Sequence, residues 1–259
     1  MTNKLYNLGD SWAWGYEDSF DIPYETTYAD IIANNFNLEK VNCCKPGWAL
    51  GNVTEKFLQT VVPNMQEGDY VFVTIPPDTR ITVAIAAGVR DSRTVFSDSS
   101  LWRETLRETG ASPYHFELIL NKDILLIASI CKLNKVNYAF QHNYSSFSYD
   151  PLWDMSLITD NYVDMDNSML NILGLPNEIY LGSSLEEQVS KRQDGPKKKS
   201  VPNIIDAVGT EKELELTELY NRIMNRSFHP NLEGHRILGE KLTHRLRQIW
   251  DMQQTNGIN

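Results

Sequence analysis

A serine near the amino terminus and a histidine near the carboxyl terminus are the residues of this sequence best suited to chemistry. Ser11 comes just after a short apolar run that ends in Gly9, a residue that permits a tight turn. His229 stands before Pro230 at the start of a helical pattern. A loop histidine can accept the proton of a serine hydroxyl, so the two could act as nucleophile and general base. Each is also typical of a purely structural turn or helix start.

The elements that must position these residues alternate between strand and helix patterns through the first third of the chain. The order is strand 4–8, helix 24–36, strand 40–44, helix 52–62 and strand 70–75. Short connections between such elements predict a parallel sheet with helices on both faces. Ligands bind outside the carboxyl ends of the strands in a sheet of this kind, and Ser11 falls at such an end.

The rest of the chain extends this pattern and adds irregular segments. Further elements are expected at helix 113–133, strand 136–141 and the closing helices 211–224 and 232–252. Segments 79–112 and 143–203 are interpreted as insertions, with an edge strand or loop at 79–88, one short helix within 143–174, and a charged mobile loop at 183–200. Because Ser11 and His229 stand near opposite ends, we predict a single domain over 1–259.

Composition narrows the class of protein. The 259 residues carry a formal net charge of −10, which argues against a partner that is itself polyanionic, such as nucleic acid or an anionic membrane. No apolar run approaches the roughly 18 residues of a membrane span, and no signal peptide is evident, so a cytoplasmic location is expected. Cys43, Cys44 and Cys131 have neither disulfide nor zinc spacing, and we expect them to be buried.

Two motifs together resemble the SGNH (GDSL-type) hydrolases. Gly9-Asp10-Ser11 follows the first strand, and His229-Pro230-Asn231-x-x-Gly234-His235 precedes the last helix. The segment 41–47, which ends in Gly47, is similar to the second block of that superfamily, and 70–78 falls at the third. Details of the sequence are also similar to a phage-encoded branch of SGNH-like proteins. The resemblance implies a three-layer α/β/α sandwich with a flavodoxin-like parallel sheet of about five strands.

The resemblance also implies an activity. By the resemblance, Ser11 would attack an ester carbonyl, and His229 would take the proton of the serine hydroxyl. The backbone N–H groups of Ser11 and Gly47 would stabilise the oxyanion. We therefore expect a serine esterase that removes a small, acetyl-like group from a carbohydrate. It would need no cofactor or metal, and its partner would be a small-molecule or glycan ester. A virion location is the alternative if the chain is phage-encoded. No pattern predicts an oligomeric state.

Two departures from the superfamily leave alternatives open. Arg226 stands three residues before His229, where an aspartate would orient the imidazole, and Pro77 stands where an asparagine would complete the oxyanion hole. A backbone carbonyl could orient His229 instead, or another residue could substitute; the candidates are Asp206, Asn52 and His142, with Asn52 as a possible oxyanion donor. The remaining alternative is a degenerate binding or virion-associated module without catalysis.

Aromatic residues cluster around both motifs. Trp12 and Trp14 follow the serine and Trp48 follows Gly47, so we expect these three to line the mouth of the site and to bind substrate. Packing of the first loop against the domain is the competing interpretation. Asp10 is expected to brace the serine turn rather than to act as an acid.

Overall fold

Eight strands and eight α-helices are seen in a computed structural model, which describes residues 2–17, 19–76, 80–86, 89–94, 113–144, 156–176, 213–225 and 229–255. The strands are β1 (Lys4–Gly9), β2 (Tyr16–Glu17), β3 (Ser19–Pro23), β4 (Glu39–Cys44), β5 (Tyr70–Ile75), β6 (Arg80–Ala86), β7 (Val89–Thr94) and β8 (Asn137–His142). The helices are α1 (Ser11–Trp14), α2 (Tyr28–Phe36), α3 (Leu50–Lys56), α4 (Pro113–Leu133), α5 (Ser156–Thr159), α6 (Met169–Ile172), α7 (Glu213–Ile223) and α8 (Leu232–Thr255).

The central sheet is parallel and has the strand order β4-β1-β5-β8. Counted along the chain, these four strands lie in the order second, first, third, fourth, which is the flavodoxin-like arrangement. The predicted α/β fold is therefore confirmed, with four sheet strands in the described part of the chain where about five were expected. In this order, the direction of winding reverses beside β1, so the carboxyl end of β1 lies at the crevice where ligands bind.

Two hydrophobic clusters cover the two faces of the sheet. Leu5, Phe72 and Ala139 face a cluster that includes α2 and α8, and Trp250 of α8 belongs to it. Tyr6, Leu8, Val71, Val73 and Phe140 face the second cluster, which includes α3 and α4. Alternation of side chains along each strand explains why neighbours such as Leu5 and Tyr6 enter different layers. The result is the expected three-layer sandwich.

Most differences from the sequence expectations concern connections. The predicted helix 52–62 is α3 followed by a π-helical turn, Phe57–Val61, in which both Phe57 and Val61 are buried. The segment 79–88 contains a strand, but β6 pairs antiparallel with β7 and lies outside the central sheet. Two short helices, α5 and α6, occur where one was expected, and the small hairpin β2–β3 was not predicted. The predicted loop 183–200 lies outside the described residues.

No helix within the described ranges is long and apolar enough to cross a membrane.

Candidate active site

The turn that carries Ser11 is formed where β1 ends. Asp10 caps helix α1, because its Oδ1 accepts the backbone N–H of Trp12 at 3.0 Å, and Ser11 is the first residue of that helix. The bracing role expected of Asp10 is confirmed. A Cβ at Gly9 would lie 2.1 Å from Thr74 Oγ1, so only glycine lets the ends of β1 and β5 approach this closely. Ser11 thus lies at the carboxyl edge of the sheet.

His229 meets this turn from the other end of the chain. Its Nε2 lies 2.7 Å from Ser11 Oγ, across 218 residues of sequence, which is hydrogen-bond distance. The residue lies between α7 and α8, where Met224 and Pro230 form an antiparallel bridge. The structure therefore brings together the two residues that the sequence singled out for chemistry.

Asn225 holds the backbone of His229 in place. The backbone N–H of Asn225 donates to the His229 carbonyl at 2.8 Å, and the His229 N–H donates to Asn225 Oδ1 at 3.0 Å. Asn225 Nδ2 also donates to the carbonyl of Tyr16 at 3.0 Å, and the Tyr16 ring lies 4.7 Å from the imidazole. One asparagine thus joins the histidine loop to the segment that follows α1.

Two further asparagines brace the serine turn. Asn143 Nδ2 donates to Asp10 Oδ1 at 2.9 Å, and Asn7 Nδ2 donates to the carbonyl of Ala13 at 3.0 Å. Both side chains are buried. Sequence reasoning missed Asn143, Asn7 and Asn225. A signal existed for Asn143, which directly follows β8 and therefore lies at the same edge of the sheet as Ser11.

The loop after β4, which contains Gly47, contacts the serine turn through Lys45. The backbone N–H of Lys45 donates to the Gly9 carbonyl at 3.4 Å, and Gly47 has a left-handed backbone with φ of 82°. No hydrogen bond to any described residue engages the backbone N–H of Ser11 or of Gly47. These are the two donors that the resemblance assigns to the oxyanion.

The other sequence candidates for site roles are placed as follows. Asn52 is buried in the first turn of α3, and its Oδ1 accepts the Ala49 N–H at 3.3 Å, so this oxygen caps the helix. His142 is buried at the end of β8 and stacks on Tyr162, and burial lowers its pKa to about 3. A neutral imidazole cannot supply the negative charge of the missing aspartate. Arg226, Asp206 and Pro77 lie outside the described residues.

One of the three tryptophans expected to bind substrate does not line the mouth of the site. Trp12 is completely buried in the first hydrophobic cluster, with Tyr144 edge-on to its ring at 4.7 Å. The expectation for Trp12 was wrong because its side chain points from α1 into the core. Trp14 and Trp48 do line a pocket of about 500 Å³, together with Asn42, Cys43, Cys44, Lys45, Pro46 and Lys56.

The three cysteines and His235 are buried away from solvent. All three cysteines are free and buried, as expected, and burial raises the pKa of each thiol. His235 is also buried: its Nδ1 accepts the Tyr28 N–H at 3.4 Å, and burial, with the charge of His229, lowers its pKa to about 3. None of these groups is in a state suited to nucleophilic or general-base chemistry at neutral pH.

Comparison with known proteins yields no sequence relative, since no family model and no curated protein matches the chain. Among solved structures, it is similar to a G-D-S-L family protein from Desulfitobacterium hafniense DCB-2, with 11% identity, a TM-score of 0.43, and coverage of 94% of this chain and 99% of the other.

It is also similar to the acetylxylan esterase Axe2 from Geobacillus stearothermophilus, with 14% identity, a TM-score of 0.40, and 94% coverage of both chains. A lipase/acylhydrolase from Enterococcus faecalis has 12% identity, a TM-score of 0.40, and coverage of 95% and 96%. At these values, the functional assignment of this chain depends on the geometry of its own site.

Proposed function

We propose that this protein is a serine ester hydrolase in which Ser11 is the nucleophile and His229 the general base. The observation that carries the proposal is the 2.7 Å separation of His229 Nε2 and Ser11 Oγ at the carboxyl end of the central sheet. Hydrogen-bond contact between a nucleophile and its base is the geometry that this class of chemistry requires.

Each step of an acyl transfer has a group to perform it. Ser11 Oγ attacks the ester carbonyl while its proton passes to His229 Nε2, and the carbonyl oxygen becomes an oxyanion. The N–H groups of Ser11 and Gly47 would donate to that oxygen, each contributing about 3 kcal/mol if preorganised. The tetrahedral intermediate then expels the alcohol, which takes the proton from His229. A water molecule then attacks the acyl-serine as His229 takes its proton, and the second tetrahedral intermediate releases the acid while His229 returns that proton to Ser11 Oγ.

The substrate we propose is a carbohydrate that bears a small acyl ester such as acetate. Trp14 lies on the same short helix as Ser11, Trp48 directly follows Gly47, and the two tryptophans line one pocket. Aromatic side chains bury the apolar faces of ligands and orient them. A pocket of about 500 Å³ has room for a sugar ring.

The test is hydrolysis of p-nitrophenyl acetate by the wild type, Ser11→Ala and His229→Ala. We expect each substitution to lower kcat at least about a thousandfold, because nucleophile and base act as a unit. Ser156→Ala, which removes the hydroxyl of an exposed serine on α5, is the matched control and should keep the wild-type rate. A fluorophosphonate probe should label the wild type at Ser11, as read by peptide mass spectrometry. Equal rates for wild type and Ser11→Ala would refute the esterase and favour a binding module without catalysis.

A further inference from the structure

The pocket beside the serine turn has an unusual charge for this protein. Among the eight lining residues that the structure describes, two are lysines, Lys45 and Lys56, and none is acidic. The chain as a whole carries a net charge of −10. An excess of positive charge at this one place therefore opposes the overall field, and such local excess attracts anionic ligands.

A second cavity in the same structure shows the contrasting arrangement. It measures about 560 Å³, and its three basic residues face Asp164 and Glu240. There, Arg245 pairs with Asp164, and Lys241 Nζ donates to the Ile172 carbonyl at 2.6 Å. Arg245 and Lys241 of this cavity are thus each bonded to another group of the protein.

The two lysines of the first pocket have no such partners. Other lysines pair with acids, such as Lys40 with Asp30 at 2.5 Å and Lys135 with Glu67 at 3.4 Å. Neither Lys45 nor Lys56 forms an ion pair or a side-chain hydrogen bond with any part of the chain that the structure describes. Within the described residues, both ammonium groups can therefore bind a ligand without first breaking an ion pair or a hydrogen bond.

Lys56 acts on the pocket from a half-buried position. It lies in the last turn of α3, and its charge partly offsets the rise that burial causes in the pKa of the Cys43 thiol, which also lines the pocket. A charge that is partly removed from water interacts more strongly with a ligand than one on an open surface. Lys45 is exposed at the rim.

The pocket is tied to the serine by the backbone. Lys45 N–H donates to the carbonyl of Gly9, two residues before Ser11, and Trp14 ends the helix that Ser11 begins. The pocket and the candidate nucleophile thus belong to neighbouring segments at the same edge of the sheet, although Ser11 itself is not among the lining residues.

We propose that this pocket binds a sugar carrying a fixed negative charge, a carboxylate or a phosphate, with the ring against Trp14 and Trp48 and the anionic group on Lys45 and Lys56. The assignment of this sugar as part of the substrate rests on the proposed esterase function, so the ester cleaved at Ser11 would belong to an anionic glycan. Binding itself does not depend on catalysis and can be tested separately.

The experiment is calorimetric titration of the wild type with three sugars that carry no ester. Methyl glucuronoside tests the carboxylate, glucose 6-phosphate tests the phosphate, and methyl glucoside is neutral. We expect at least one anionic sugar to bind about tenfold or more tightly than methyl glucoside, and the preference to shrink as sodium chloride is raised from 0.05 to 0.5 M. Because no ester is present, a protein that failed to hydrolyse p-nitrophenyl acetate would still give a valid result.

Substitutions then locate the site. Lys45→Met and Lys56→Met should each weaken the anionic sugar about threefold or more, and the double variant about tenfold. Lys45→Arg combined with Lys56→Arg keeps both charges and should retain the preference. The control is Lys132→Met. This lysine is exposed at the carboxyl end of α4, close to the start of β8, and therefore lies at the edge of the sheet opposite to Ser11. Equal affinity for charged and neutral sugars, or equal losses in Lys132→Met and the double variant, would overturn the proposal.

Discussion

Asn225 and His229 hold each other by two hydrogen bonds, one in each direction: the His229 N–H donates to Asn225 Oδ1 at 3.0 Å, and the Asn225 N–H donates to the His229 carbonyl at 2.8 Å. The amide of the same asparagine reaches the Tyr16 carbonyl. Asn225 thus fixes the backbone of His229 relative to the segment that follows α1.

Asn225→Ala should therefore lower kcat for p-nitrophenyl acetate about tenfold with little change in KM, since the base would be held less firmly while the substrate pocket stays intact. Asn35→Ala is the matched control because its amide bonds only to its own helix, at the Ile31 carbonyl. An increase in KM with an unchanged kcat would contradict this role for Asn225.

Asn143→Asp should destabilise the protein in a pH-dependent way. The new carboxylate would face Asp10, whose Oδ1 now accepts the Asn143 amide at 2.9 Å, and two adjacent carboxylates raise the pKa of one of them. A group with a raised folded pKa stabilises below that pKa and loses the contribution as pH rises. The deficit in unfolding free energy, about 3 kcal/mol at pH 7, should shrink toward pH 4.5.

Urea unfolding of the wild type and the variant at each pH measures this deficit. Asn143→Ala is the control: it loses the same hydrogen bond, at a cost of about 1–3 kcal/mol, without adding a charge. Its deficit should be nearly the same at both pH values. Identical pH behaviour of the alanine and aspartate variants would show that position 143 does not face Asp10 in solution.

Two glycines of the site should differ in their tolerance of alanine. At Gly9, a Cβ would lie 2.1 Å from Thr74 Oγ1 and 2.7 Å from the Ala13 Cβ, so Gly9→Ala should cost about 3 kcal/mol. At Gly47, a Cβ would meet nothing within 4 Å, and only the left-handed backbone opposes substitution, so Gly47→Ala should cost about 1 kcal/mol. Thermal or urea unfolding ranks the two, and an equal cost would refute the close contact of β1 with β5.

Buried histidines should make the fold less stable in mild acid. The pKa of His235 is lowered to about 3 by burial, against about 6.5 when unfolded, so the unfolded chain binds a proton that the folded chain cannot. Stability attributable to His235 is therefore present above about pH 6.5 and declines as pH falls toward 3, by up to about 1.4 kcal/mol per pH unit. Burial lowers the pKa of His142 as well, so His142 also makes the fold less stable as pH falls. The pKa of Asp123 is raised to about 6 by burial, so Asp123 has the opposite effect on the pH dependence of stability.

His235→Gln, which can still accept the Tyr28 N–H, should flatten the slope of unfolding free energy between pH 6 and pH 4. His244→Gln, an exposed position on the same helix, is the matched control and should keep the wild-type slope. The result that would count against the prediction is an unchanged slope in His235→Gln.

Arg226→Asp should raise the esterase rate about tenfold. By the resemblance, a carboxylate three residues before His229 would stabilise the imidazolium that forms as Ser11 attacks, whereas a guanidinium near the imidazole would oppose that charge. The measurement is kcat on p-nitrophenyl acetate for the wild type and for Arg226→Asp. An unchanged rate would mean that another group already performs the orienting role.

The order of the elements and the two ends of the site could be predicted from the amino-acid sequence alone. Strands 4–8 and 70–75, the long helix that begins at Pro113, and the positions of Ser11 and His229 all follow from local apolar periodicity, glycine and proline. These features depend on neighbours within a few residues, which a sequence displays directly.

Which side chains meet depends on the tertiary packing. Nothing local to Trp12 distinguishes it from Trp14, yet Trp12 is completely buried beside Tyr144, whereas Trp14 is only partly buried and lines the pocket. The contacts of Asn143 with Asp10, of Asn225 with the Tyr16 carbonyl, and of Lys45 with the Gly9 carbonyl likewise join segments that are distant in the sequence. Such pairings arise from how the layers pack over the parallel sheet, and hydrophobic periodicity does not encode them.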